Sequence, residues 1–294
     1  MPDASDRPDN MSTLELTARR KPTSPGKIAT YAALIILSAV FVLPFVWLLS
    51  TSLKPESQIM LVPPQWIPHP LQWDNYSKGL TFVPFLLYLK NTLIIAVLNV
   101  IGVSISSALV AYGLAVIPWR GREALFLILL STMMLPAQVT MVPLFTVYTW
   151  FRWIDTVLPL TVPAFLGNAF FIFLLRQFFL SIPKDLMEAA KIDGCTELQI
   201  FRRIVLPLAK PALATVALFT FMGAWNDYLG PLIYLFNEDK FTLSLGLAMF
   251  QSQYGSYYGM LMAVSTVITV PIIVLFFFTQ RTFIQGITLT GIKG

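Results

Sequence analysis

The chain has 294 residues, of which 56% are hydrophobic and only 12% charged, with a mean hydropathy of +0.71 and a net charge of +5. A soluble domain carries about 25% charged residues and a disordered chain is far less apolar, so an integral membrane protein remains. One cysteine, Cys195, and one histidine, His69, exclude an internal disulfide, a cysteine metal cluster and an HExxH zinc site. His69 stands in a Pro-rich stretch with no nucleophile elbow near it, and reads as a loop residue. No GxxxxGK[ST] occurs, so the chain has no P-loop of its own.

Residues 1–27 are polar and aperiodic and predict a disordered cytoplasmic tail. Six apolar spans follow within 28–294: Ile28–Ser50, Leu89–Tyr112, Ala124–Tyr148, Val157–Leu175, Ala209–Tyr228 and Gly259–Thr279. Each approaches or exceeds the roughly 20 residues that cross a bilayer as a helix, and helices satisfy their own backbone hydrogen bonds in lipid. The first span is too long for a signal-peptide core and lacks an A-x-A site, so it is read as a retained helix. Fifteen of the twenty Lys and Arg lie in segments sharing a side with the N-terminus. The other five are Lys54, Lys78, Lys90, Arg152 and Lys240. This bias places both termini in the cytoplasm and accounts for the basic balance without nucleic acid. Pro44, Pro136, Pro143, Pro159, Pro163 and Pro271 fall inside the spans. They suit a bundle that encloses a cavity and rocks, although proline is common in membrane helices in any case.

The cytoplasmic stretch from 176 to 210 is longer than a connection requires. Ser181 is placed to cap a helix with Pro183 in its first turn and Asp185 and Glu188 early in it. Leu186, Ala189 and Ala190 form a small apolar face, and Gly194 ends the helix. Thr196 and Gln199 match a capping box for a second short helix, with Phe201, Ile204 and Val205 on its apolar side and Pro207 as its stop. Such a pair could lie on lipid or dock a cytoplasmic protein.

Glu188, Ala189, Ala190, Gly194, Ile204, Leu206 and Pro207 together spell E-A-A-x3-G-x9-I-x-L-P with no position missing. This resembles the cytoplasmic signature of the membrane subunits of ATP-binding-cassette importers. Leu49 to Lys54 (LSTSLK), Met133 to Thr140 (MMLPAQVT), Ala224 to Asp227 (AWND) and Gly291 to Gly294 (GIKG) resemble the carbohydrate branch, in particular its maltose-type second permease subunit. The resemblance covers most of 28–294 and implies an all-α type I importer permease. It implies six transmembrane helices and a coupling loop, 181–207, between the fourth and fifth. It further implies a second related permease subunit, two cytoplasmic ATPase subunits that bind ATP and Mg, an extracytoplasmic solute-binding protein and a sugar cargo. The host membrane would be the prokaryotic cytoplasmic membrane. On this reading the chain is not an enzyme and binds no cofactor or metal itself, and Glu188, Ala189, Ala190, Asp193, Gly194, Ile204, Leu206 and Pro207 contact or position the ATPase.

Polar side chains deep in a span are costly and mark candidate pathways. Asn99, Gln138 and Asn168 lie near span centres, as do Phe219 and Phe221. Each amide suits either a sugar path or a helix–helix hydrogen bond, and the aromatic pair either packing or a sugar platform. Asn226 and Asp227 at the edge of span five, with Gln251, Gln253 and Tyr254 in the last outer loop, are candidate contacts for the binding protein; a helix-end cap is the alternative for Asp227. Two rival functions remain at this stage: the same family carrying a non-sugar solute, and a stand-alone secondary transporter. No Asp, Glu, Lys or Arg lies in the central third of any span, which disfavours ion coupling.

Overall fold

The computed structural model describes residues 25–252 and 255–291, and their side chains except at 25, 252 and 255–256 and beyond 280. The chain divides into two units at Trp47/Leu48, within the first helix, α1 (Pro25–Ser52). This helix is uniformly apolar and includes Pro44, and its first residues, 25–27, were expected in the polar tail.

In the second unit, α2 (Glu56–Ile59) and α3 (Asp74–Phe82) precede α4 (Phe85–Ala115). The third apolar span is broken into α5 (Arg122–Thr132) and α6 (Ala137–Trp150), which meet at 96°. Pro136, extended at ψ 137, stands at the corner, and proline disfavours a helical residue before it. Next come α7 (Leu158–Thr161), a 3-10 turn at Val162–Leu166 and α8 (Ala169–Leu180). The cytoplasmic-signature segment forms α9 (Lys184–Ile192), α10 (Glu197–Ile200), a π turn at Phe201–Val205 and α11 (Leu206–Leu208). It leads at a 77° bend into α12 (Lys210–Asn226). α13 (Leu229–Tyr234), α14 (Leu243–Ala248) and a two-residue hairpin, β1 (Gln251–Ser252) with β2 (Gly255–Ser256), precede α15 (Tyr258–Gly291). The hairpin pairs Gln251 with Ser256 and Ser252 with Gly255.

Among the described residues, four stretches are long and apolar enough to span a membrane, or up to six if each of two bent pairs is one span. Helical segments match all six expected spans: the third is broken at 96°, the fourth is interrupted by the 3-10 turn before α8, and the fifth, α12, begins at the 77° bend from the loop. Two readings of the loop need correction. Ser181 does not cap α9: it ends α8, donating to the Phe178 carbonyl at 2.6 Å, while Pro183 occupies the cap position of α9 without a side-chain bond. Pro207 does not stop the second loop helix, which runs on to Leu208. It sits in the first turn of α11, where a missing N–H is tolerated.

Helix α4 is the pillar of this unit. Its second half, with Val103, Ala108 and Ala111, joins Leu175 and Phe179 of α8, Ile200 and Val205 of the loop, and Val216 of α12 in one apolar cluster. Its first turn brings Tyr88 into a second cluster with Val83, Trp225, Leu243, Phe250 and Val264. Small residues let the backbones approach, as in other membrane bundles. At Gly102 a Cβ would lie 2.9 Å from the Phe165 ring, so the 3-10 turn passes tightly over α4 there. Ser106 fixes that crossing by donating to the Ala164 carbonyl at 3.0 Å.

Candidate functional site

Helix α9 presents two different faces. Met187 and Ala190 are buried in the first apolar cluster, whereas Leu186, Glu188, Ala189 and Ile192 are exposed. The apolar face expected from Leu186, Ala189 and Ala190 is thus divided: Ala190 turns inward with Met187 three residues earlier, and Leu186 and Ala189 stay outside beside Glu188. Asp193 caps the C-terminus of α9 and Gly194 follows with φ +83, the left-handed conformation that glycine adopts freely. The capping box forms as expected: Gln199 N donates to Thr196 Oγ1 at 3.4 Å, and Thr196 N donates to Gln199 Oε1 at 2.8 Å. Ile204 and Leu206 pack against the first cluster and Pro207 is exposed.

Sequence reasoning missed three contacts: one ties this loop to α4, one lies within the loop, and one joins the membrane helices beside it. Tyr112 near the end of α4 donates to Glu197 Oε2 at 2.7 Å, and Lys191 Nζ lies 2.7 Å from Glu197 Oε1. Arg176 at the end of α8 reaches both oxygens of Glu123 on α5, at 2.8 and 2.9 Å, and the Leu114 carbonyl on α4 at 3.3 Å. Its guanidinium also lies 4.0 Å above the Phe126 ring. Arg176 is buried although charged, which is characteristic of a paired group. A groove of about 340 Å³ runs beside α9 and includes Glu188, Lys184, Lys191 and Arg122 in its lining.

The candidate path residues separate. Asn99 donates to the carbonyls of Ile95 and Leu160, both at 2.8 Å, so its amide joins α4 to α7. Asn168 caps α8 by accepting from the N–H groups of Phe170 and Phe171. Gln138 is exposed in the first turn of α6. Phe219 is exposed, and Phe221 stacks on Trp225 at 5.4 Å within the second cluster. The structure brings Asn99 and Asp227 together with Thr220, a residue the sequence did not single out, in one cavity of about 270 Å³. Thr220 Oγ1 is buried without a hydrogen-bond partner. Asp227 accepts from Gly230 N at 3.0 Å, so the helix-end cap and the cavity share one carboxylate. Asn226 bonds back to the Met222 carbonyl and is exposed. Gln251 is exposed in β1, and Gln253 and Tyr254 lie outside the described residues, as do the last three residues of the GIKG ending.

At the end of the unit opposite the loop, Asp155 (φ +59) fastens two connections. Its carboxylate accepts from Phe236 N and Asn237 N at 3.0 Å and from Lys240 Nζ at 2.6 Å. The Lys240 hydrogen bond, then those from Asn237 and Phe236, pull its carboxyl down to about 2. Since the folded value is depressed, this stabilisation is complete above the unfolded value near 4 and is lost as pH falls towards about 2. Asp155→Asn is therefore expected to flatten the acid limb of a thermal-stability profile measured from pH 6 to 2. An unchanged acid limb would exclude this carboxylate as its source.

Comparison with known proteins agrees with the geometry. Residues 101–288 match the family described as binding-protein-dependent transport system inner membrane component. The arabinooligosaccharides transport system permease protein AraQ of Bacillus subtilis is 36% identical, over 91% of this chain and 96% of its own length. The diacetylchitobiose uptake system permease protein DasC of Streptomyces coelicolor is 30% identical, over 92% and 98%. Among solved structures, a bacterial ABC transporter involved in the import of the acidic polysaccharide alginate matches with a TM-score of 0.76 and 26% identity. That match covers 86% of this chain and 95% of the other. The loop signature, the family match over 101–288 and relatives that cover about nine-tenths of the chain lead to one assignment: the chain belongs to the binding-protein-dependent inner-membrane permease family, in the carbohydrate branch of the ATP-binding-cassette importers.

Proposed function

We propose that this chain forms one half of the translocation path of an ATP-driven carbohydrate importer and takes up the stroke of a separate ATPase through the loop 181–207. The observation that carries this reading is α9, which keeps Leu186, Glu188, Ala189 and Ile192 exposed while Met187 and Ala190 anchor it. A short helix with a carboxylate among small and apolar residues offers a partner close approach and a charge-assisted hydrogen bond. Asp193 and Gly194 set its end, and Ile204, Leu206 and Pro207 carry the motion into α12. The partners are a second related permease subunit, two cytoplasmic ATPase subunits that bind ATP and Mg, and an extracytoplasmic binding protein that delivers the sugar. Relatives named for arabinooligosaccharides and diacetylchitobiose support a short oligosaccharide as cargo.

The cavity lined by Asn99, Thr220 and Asp227 supplies the donors and acceptors that sugar hydroxyls need. Gln138, Asn168, Phe219 and Phe221 remain candidates for the path, and Asn226, Gln251, Gln253 and Tyr254 for the binding-protein contact. One set of reconstituted liposomes tests the whole reading. The assembled complex should import radiolabelled oligosaccharide with ATP inside and loaded binding protein outside, and the isolated chain should import none. Uptake by the isolated chain would remove the reading. Thr220→Val should raise the apparent KM if the cavity lies on the path, and a parental KM would remove the cavity from it.

A further inference from the structure

One carboxylate stands between the exposed helix α9 and the membrane helix α4. Glu197, the first residue of α10, lies on the far side of the Gly194 turn from Lys191, the last basic residue of α9. Its two oxygens are divided. Oε1 meets Lys191 Nζ at 2.7 Å and Oε2 accepts from the Tyr112 hydroxyl at 2.7 Å. Tyr112 is 5% exposed, and its ring packs 5.0 Å from that of Phe201, so it is a fixed point at the end of α4. The Lys191 bond first, and the Tyr112 bond next, hold the Glu197 carboxyl below the usual carboxylate range. It is therefore an ionised acceptor at neutral pH, the form that makes the stronger hydrogen bonds.

Other connections across the turn are backbone bonds and the packing of Met187 and Ala190 with Ile200. Cys195 N bonds the Ala190 carbonyl at 2.9 Å, and the capping box stiffens α10 internally without reaching α9. Gly194 itself, at φ +83, carries no side chain that could brace the turn, and no neighbour lies close enough to do so. The packing of Met187 and Ala190 in the first apolar cluster holds α9 against the bundle without direction, and the two Glu197 bonds add a directional link across the turn.

We propose that Glu197 is a positioning residue for transport. By bonding Lys191 and Tyr112 together, it locks α9 to α4, so that displacement of α9 passes to the membrane helix as a rigid-body movement. This rests on the reading of 181–207 as the coupling element. The energetic role is one of stiffness, and Glu197 need not touch the ATPase or the sugar.

The test uses the complete complex in liposomes and reads sugar imported per ATP hydrolysed. Glu197→Ala, which loses both bonds, should lower that ratio about tenfold, and Lys191→Met, which loses only the half-exposed ion pair, about two- to fivefold. The ATPase should still co-purify with both variants. The exchange Lys191→Glu with Glu197→Lys should restore most of the ratio. A parental ratio in both single variants overturns the proposal. So does a fall in uptake that only follows a fall in complex yield, since a merely structural role would leave the ratio unmoved. A photo-crosslinker at Ile192, which is 86% exposed, separates the two levels. A link to the ATPase together with a parental ratio removes the clamp alone. Absence of any link removes the coupling reading and the clamp with it.

Discussion

Replacing Gly194 with valine is expected to leave an assembled complex that hydrolyses ATP without importing sugar. At φ +83 a β-branched residue is strained by about 1–3 kcal/mol. Nothing lies within 4 Å of the added Cβ, so a steric clash with neighbours is not the cause. The strain is relieved only by changing the turn, which re-aims α9 while its exposed residues remain intact. Gly194→Asn is the control, because asparagine enters the left-handed region more readily than other residues with a side chain. The expected pattern is loss of uptake and of stimulation by loaded binding protein in the valine variant, and near-parental behaviour in the asparagine variant. Normal uptake and stimulation with valine would show that the angle at Gly194 plays no part in transport.

Arg176→Ala should give the largest loss of stability. The side chain is 7% exposed and holds the ends of α4, α5 and α8 together. Its partner Glu123 is 61% exposed, so the ion pair itself is largely screened and contributes little. The Leu114 carbonyl and the Phe126 face carry more of the effect, and together the losses come to about 2–3 kcal/mol. Thermal unfolding of the purified complex should shift well below the parent for Arg176→Ala, and only slightly for Glu123→Ala. Arg176→Lys should recover part, because an ammonium is a point charge that lacks the guanidinium fork. Equal shifts for Arg176→Ala and Glu123→Ala would show that the ion pair, and not the packing, holds this corner.

What could be read in the sequence was local or compositional. Gly194, Thr196 and Gln199 act through their own backbone within a few residues, and their geometry follows from their chemistry. Six apolar spans follow from the length of a helix that crosses lipid. The bends do not: Pro136 was visible as a proline, but whether it kinks a helix or turns a corner of 96° depends on what packs around it. The faces of α9 were misjudged because Met187 and Leu186 are equally apolar, and only the position of α4 and α8 decides which is buried. Arg176 with Glu123 and Tyr112 with Glu197 lie 53 and 85 positions apart, beyond any local pattern. Asn99 and Asn168 were found by depth alone. Asn168 proved to cap the backbone N–H groups where α8 begins, and Asn99 to tie the Leu160 carbonyl of short α7 to α4, which is what irregular backbone in lipid requires.

The π turn at Phe201–Val205 sets how the loop is fitted to α12. Leu206 N bonds the Phe201 carbonyl five residues back, one more than in an α-helix. That spacing sets Ile200 and Val205 on one side, both fully buried, and leaves Arg202 and Arg203 exposed together. The turn takes up one residue more than an α-helix would use between the same two bonded groups, so the added position is accommodated locally and the segments on either side keep their facing. The nine positions between Gly194 and Ile204 thus include slack that the π turn takes up: the loop is fitted to the membrane helix by a bulge, with its exposed sites free to vary and Ile200 and Val205 held in the core.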